Sequence, residues 1–179
     1  MTNRHTMIAW MEDKPGVLNR VAGLFRRRNF NIESLAVGHS ETPGISRMTF
    51  VAEGDAREMR QIQTQLYKLI NVTAVQDVTD VPTVNREVAL IKVNAKNGNR
   101  SEVMQIVDIF RGSIVDVDMD TLIIQIVGPE DRVQSLINLL DQFGIVEMVR
   151  SGRLAMVRGS HDRAAKQKTA VAGYKNGHN

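Results

Sequence analysis

The stretch Glu12-Asp13-Lys14-Pro15-Gly16-Val17-Leu18 separates two hydrophobic periodicities. Before it, residues 5–12 form a short apolar run that ends in charge. After it, Val17, Leu18, Val21, Ala22, Leu24 and Phe25 recur at helical spacing, the stripe of an amphipathic helix over residues 15–28. A strand therefore feeds a helix through a turn that holds an acid, a proline and a glycine. Two β-leaning runs follow, 31–38 and 45–53, split by the turn residues Glu41-Thr42-Pro43-Gly44. Met59, Ile62, Leu66, Leu69 and Ile70 mark a second helix, and residues 72–79 close the unit as a strand. Residues 4–80 thus read as one βαββαβ unit.

Val81-Pro82-Thr83-Val84-Asn85 is a linker on this reading, because Pro82 interrupts both helix and ladder. The same order then recurs over residues 84–158. Val88–Val93 is a strand; Val103, Ile106, Val107 and Phe110 mark a helix; Ile114–Val117 and Leu122–Val127 flank Asp118-Met119-Asp120 as a hairpin. Val133, Leu136, Ile137 and Leu140 give the second helix and Ile145–Val149 the last strand. A spacing of 85 residues lays Val21 on Ile106 and Phe25 on Phe110. Two such units imply two small α+β layers, each an antiparallel sheet with helices on one face. Each unit, of about 75 residues, buries a limited core. Open edge strands invite pairing with a second copy, so a homodimer is expected. Residues 159–179, rich in Ala, Lys, Gly and Asn, read as a flexible basic tail.

Composition narrows the function. The 179 residues are 42% hydrophobic and hold no cysteine, which excludes disulfides, thiolate metal sites and a cysteine nucleophile. The net charge of +3 is concentrated from Gly159 onward, where Arg163, Lys166, Lys168 and Lys175 face Asp162; residues 1–158 are neutral in sum. A neutral body is a poor phosphate-tracking surface, so no nucleic-acid partner is expected. No apolar stretch has the length of a secretory h-region or a membrane span, so the expected setting is the cytoplasm, without membrane contact.

The turn before the first helix is the first candidate for chemistry. Asp13 can cap the helix and Pro15 can sit in its first turn, where no amide is needed. Free amides at a helix start also attract a carboxylate, and Gly16 lets a ligand approach the backbone. In the second candidate, Asn29-Phe30-Asn31-Ile32-Glu33-Ser34-Leu35, Asn31 can start a strand and Ile32 can be core.

Asp13-Lys14-Pro15-Gly16-Val17-Leu18, Gly23-Leu24-Phe25, Asn31-Ile32-Glu33-Ser34-Leu35 and Ser46-Arg47-Met48-Thr49 together resemble the amino-terminal ACT domain of acetohydroxyacid (acetolactate) synthase regulatory subunits. The similarity runs on through Ile109-Phe110-Arg111-Gly112 to Val149-Arg150-Ser151-Gly152. It implies two ferredoxin-like units: an effector-binding ACT domain over 4–80 and an ACT-like domain over 84–158 that contributes to contact with the catalytic subunit. It implies a non-catalytic chain that activates a large catalytic subunit and confers feedback inhibition by valine or another branched-chain amino acid. Thiamine diphosphate, magnesium and FAD would sit on that partner, with no cofactor or metal here. In the family the effector lies between paired ACT domains, so Asp13, Lys14, Pro15, Gly16 and Val17 of one protomer would face Asn31 and Ile32 of the other. Some members carry Asn at the position of Asp13, which leaves open whether that residue holds the ligand's ammonium or caps the helix.

At the 85-residue spacing Gly16 falls on Ser101, and Asn99-Arg100-Ser101-Glu102 reads as an ordinary capping arrangement, so the second unit is expected to lack the ligand mouth. RNA-recognition domains share the βαββαβ order, but Arg47-Met48-Thr49-Phe50-Val51 offers one aromatic and no Gly-aromatic pair. Arg26-Arg27-Arg28 reads as the solvated end of a helix. Asp116, Asp118 and Asp120 lack the glycine and the twelfth-position acid of a calcium loop, and the four histidines have no zinc spacing. Nothing resembles a base-activated nucleophile. A free-standing ACT-domain amino-acid sensor with another client, and an enzyme in its own right, are the rival readings.

Overall fold

The computed structural model describes residues 3–96 and 98–159. The expected tail lies outside the described residues, apart from Gly159. Two compact units emerge: residues up to Val84 together with the segment from Ala155, and Asn85–Leu154.

In the first unit, β1 (Asn3–Glu12), α1 (Val17–Arg27), β2 (Ile32–His39), β3 (Ile45–Gly54), α2 (Ala56–Tyr67) and β4 (Val72–Asp77) follow the expected order. The antiparallel sheet runs β2-β3-β1-β4. Alternation sorts its faces: Met7, Ala9 and Met11 of β1 and Met48, Phe50 and Ala52 of β3 point at the helices. Val17, Val21 and Phe25 of α1 and Met59, Ile62 and Leu66 of α2 close over them. Phe25 stands edge-on to Phe50, centroids 5.3 Å apart, a favoured aromatic geometry. The opposite face of β1 is not bare. Ile8, 1% exposed, packs with Val78, Ala155 and Val157, and Trp10 and Val81 lie beside them. The Arg47 guanidinium stacks 5.6 Å from the Trp10 ring and donates to the Ala155 carbonyl at 2.5 Å.

That covering segment is β9 (Leu154–Val157), which pairs with β5; the Arg158 amide donates to the Pro82 carbonyl. Sequence periodicity gave no sign of this strand, because four residues are too few to show a period. Residues 83–85, read above as linker, already belong to β5 (Thr83–Asn94). Pro82, just before the strand, marks its start.

The second unit continues with α3 (Arg100–Ile109), β6 (Ser113–Val117), β7 (Thr121–Gly128), α4 (Glu130–Leu140) and β8 (Ile145–Arg150), in a sheet ordered β6-β7-β5-β8. Ala89, Ile91 and Val93 meet Ile126, Ile124 and Leu122 across the ladder under Val103, Val107, Val133 and Leu136. Glu87, 4% exposed, is satisfied by the Arg150 guanidinium at 2.5 Å, which also donates to Gln134 at 3.0 Å.

The units repeat with a spacing different from the expected one. Asn29 (φ 54) follows α1 and Arg111 (φ 52) follows α3. The amide of Phe30 donates to Phe25 and that of Gly112 to Val107, one hook in two copies. The equivalence is therefore 82 residues here, not 85, and it lays Gly16 on Gly98. A helical stripe hides such an error, because a shift of three residues keeps an apolar face nearly in phase. Beyond the helix, Met48, Phe50 and Ala52 correspond to Leu122, Ile124 and Ile126, so the second hairpin is shorter.

Candidate functional site

The first candidate segment forms the mouth of α1. Glu12, the last residue of β1, is tied down from two sides: its amide donates to the Asn71 carbonyl at 2.9 Å, and its carboxylate accepts from the Asn71 amide group at 2.5 Å. Lys14 stands 3.1 Å from the same carboxylate. The Asn71 hydrogen bond, followed by Lys14, holds the Glu12 pKa below its ordinary value. Asn71 also accepts from the Arg20 guanidinium at 2.9 Å, so one residue ahead of β4 braces both sides of the turn.

The chain then reverses through Gly16, whose φ of +82° and ψ of −5° lie in the left-handed region. Gly16 is itself the N-cap, and no side chain caps α1. The expected roles of Asp13 and Pro15 therefore need correction. Asp13 lies too far before the helix; its amide donates to the Gly44 carbonyl at 2.8 Å, and its carboxylate stands 3.2 Å from His39 Nδ1. Pro15 precedes the N-cap rather than occupying the first turn. The Val17 amide reaches back to Lys14 at 3.3 Å, and that of Arg20 makes the first helical bond, to Gly16. The amides of Gly16, Leu18 and Asn19 find no intrachain acceptor among the described residues, as a helix start dictates. A β-carbon built on Gly16 would meet nothing within 4 Å, so space lies open beside these donors. Asp13, Lys14, Pro15 and Gly16 are exposed, whereas Val17 is 4% exposed and belongs to the core.

Asn31 and Ile32 lie elsewhere in the same chain. Asn31 is exposed just before β2, and Ile32 is half-buried against the core, opposite Ala52. His39, at the other end of β2, is the residue beside Asp13. Seven strand steps separate the two ends, about 23 Å. One chain does not bring its two candidate segments together.

His39 and Asn71 escaped the sequence reading. Their only signal is register, since His39 lies opposite Ser46 on β3 and Glu12 opposite Ile45, and register is invisible until strands are paired.

The equivalent mouth in the second unit keeps its backbone. Gly98 has φ +81°, the Asn99 amide donates to Lys96 at 3.3 Å, and the Ala95 amide donates to Asp120 at 2.8 Å. The expectation that this turn was lost is thus corrected, and so is the capping one, since the Asn99 side chain makes no capping bond. The side chains are what differ. Ala95 replaces Asp13, and Arg100 replaces Leu18, its guanidinium donating to the carbonyls of Asp118 and Met119 at 2.6 and 2.8 Å. Asp118 accepts from the Met119 amide, as a polar hairpin turn does, and among the described residues no cluster of three acids or histidines could hold a metal.

Comparison with known proteins agrees in both units. Residues 8–74 match the AHAS small subunit-like ACT domain and residues 86–159 match the small subunit of acetolactate synthase. A probable acetolactate synthase small subunit of Methanothermobacter thermautotrophicus is 51% identical over 157 residues, 87% of this chain and 94% of the relative. The Bacillus subtilis acetolactate synthase small subunit is 44% identical, over 88% of this chain and 92% of its own. The crystal structure of the Thermotoga maritima small subunit superposes with a TM-score of 0.83 at 42% identity, covering 88% of this chain and 98% of that one. The chain belongs to the family of acetolactate synthase small subunits, regulatory chains with an ACT domain in their first unit.

Proposed function

We propose that this chain activates the large catalytic subunit of acetolactate synthase and makes it subject to feedback inhibition by a branched-chain amino acid, with valine the first candidate. One observation carries the effector reading: β2 is an edge strand, with its apolar residues Leu35 and Val37 exposed and no lysine to guard it. Two copies joined through β2 about a two-fold axis run antiparallel. Such a pairing sets the His39 end of one strand, beside Asp13 and Gly16, against the Asn31–Ile32 end of the other. The segments that one chain keeps about 23 Å apart then form one site, twice per dimer.

The chemistry fits a zwitterion. Its carboxylate faces the free amides of Gly16, Leu18 and Asn19 at the positive end of α1. Its ammonium faces the Asp13 carboxylate, with Lys14 outside and Asn31 supplying polar partners from the other copy. Pro15 and Val17 fix the backbone of the mouth, and Ile32 with the exposed aliphatic residues of β2 offers the branched side chain an apolar wall. Binding across the interface favours one arrangement of the protomers, and the large subunit responds to that arrangement only by its differential affinity. In this reading the chain is not itself catalytic, works in the cytoplasm, and leaves thiamine diphosphate, magnesium and flavin to its partner.

The test assays acetolactate formation by the large subunit with and without this chain across a valine titration. Stimulation that valine removes is the expected result. A rate indifferent to the chain, or stimulation indifferent to every branched-chain amino acid, overturns the reading.

A further inference from the structure

The helix layer of the first unit is cationic in a way that the sum over the chain conceals. Counted with their capping residues, α1 and α2 carry Arg20, Arg26, Arg27, Arg28, Arg57, Arg60 and Lys68 against only Asp55 and Glu58. Both carboxylates are engaged by backbone amides of the α2 cap. Arg20 is held by Asn71; Arg57 and Arg60 share the field of the Asp55 carboxylate without closing an ion pair on it; and Arg26, Arg27, Arg28 and Lys68 have no ion-pair partner among the described residues. On the same count α3 and α4 carry Arg100 and Arg132 against Glu102, Asp108, Glu130, Asp131 and Asp141. The sign reverses at equivalent positions: Arg26 corresponds to Asp108 and Arg57 to Asp131. The fold therefore does not need these cations.

Local stability accounts for only part of them. Arg26 and Arg27 complement the dipole at the end of α1, but Arg57 sits in the first turn of α2, where a cation opposes it. Topology gathers them. α1 ends where Ile32 pairs with Ala52, and α2 is capped by Asp55 three residues beyond Ala52. Arg26, Arg27, Arg28, Arg57 and Arg60 thus crowd one end of the layer, all exposed. Their mutual repulsion is a cost in the isolated chain that an acidic surface relieves.

We propose that this arginine end of the first unit's helix layer is a docking face for an acidic surface of the large catalytic subunit, held by guanidinium–carboxylate pairs. The inference rests on the family reading only for the existence of that partner. Nucleic acid is the weaker occupant, because the one aromatic of β3, Phe50, is wholly buried and cannot stack on a base.

The test compares the full chain with the triple variants Arg27→Glu/Arg57→Glu/Arg60→Glu and Arg27→Gln/Arg57→Gln/Arg60→Gln. Thermal melts select folded variants, and binding to the large subunit is read directly by sedimentation of the mixed subunits at about 0.05 M and about 0.3 M NaCl. The expected result is a Kd raised about tenfold or more by the glutamates and less by the glutamines, a flatter salt dependence in both, and unchanged valine affinity of the isolated chain. Binding that tolerates the glutamates overturns the docking face alone. An unaltered chain that binds no large subunit overturns it together with the proposed function. Capture of a single-stranded oligonucleotide by the native chain, lost in the variants while subunit binding persists, overturns it in favour of nucleic acid.

Discussion

Gly16 has two separable properties, a left-handed backbone and empty space beside free amides. Gly16→Ala tests the first and costs about 1 kcal/mol of stability from strain. Gly16→Asp adds a carboxylate where the proposed ligand places its own, so valine affinity by calorimetry falls at least about tenfold beyond the alanine variant, while stimulation of the large subunit persists. Equal affinities in the two variants would remove Gly16 from the site. Asn31→Ala weakens valine binding similarly only if the site is shared between copies. At Glu87, Arg150→Ala leaves a buried carboxylate unpaired and costs roughly 3 kcal/mol in denaturant unfolding. A near-neutral result would mean that water reaches Glu87.

At the scale of elements, the α2 cap and the β2 edge make opposite demands on charge. Asp55 accepts from the amides of Glu58 and Arg57, and the first of these bonds chiefly holds its pKa below the ordinary 3.8. A lowered folded pKa stabilises above the unfolded value and loses that contribution as pH falls through the folded one. The acid limb of a pH-melting profile should therefore flatten in Asp55→Asn, which keeps the cap but loses the charge, with stability at neutral pH slightly reduced. Glu53 runs the other way. Its hydrogen bond to Glu33 and that carboxylate's charge raise its pKa above 4.5, so its contribution is present at low pH and is lost as pH rises through the raised value. On β2, Val37→Lys places a charge on the open edge and should raise the dimer dissociation constant at least about tenfold in sedimentation equilibrium. Unaltered dimerisation would move the interface to another edge.

At the scale of the whole molecule, the first unit depends on chain that returns after the second. Ala155 and Val157 cover Ile8 and Val78. Truncation after Leu154 exposes that face, so amide exchange in β1 should accelerate and the thermal midpoint should fall. A truncated chain with native exchange in β1 would show that this cover is dispensable. The arginine end of α1 and α2 belongs to this scale too, since a chain-wide charge count averages it away.

Periodicity by itself determined the element order, both hairpins, the glycine turn at the α1 mouth and most of each helix face, because each depends on residues within one or two turns of one another. It erred at Leu18, which is exposed on α1, and at Leu69 and Ile70, which lie beyond the end of α2 at Tyr67. It placed Gly16 and Asn31 in contact with function through resemblance, with no view of the distance between them. Only tertiary structure decided that His39 rather than a helix amide faces Asp13, that Asn71 braces Glu12, that the segment from Ala155 completes the first unit, and that the first helices of the two units are equivalent at 82 residues and the strands beyond them at fewer. The reason is physical: strand register and the return of a short segment are fixed by burial and hydrogen bonding between residues far apart in sequence, and a helical stripe looks nearly the same after a shift of one turn.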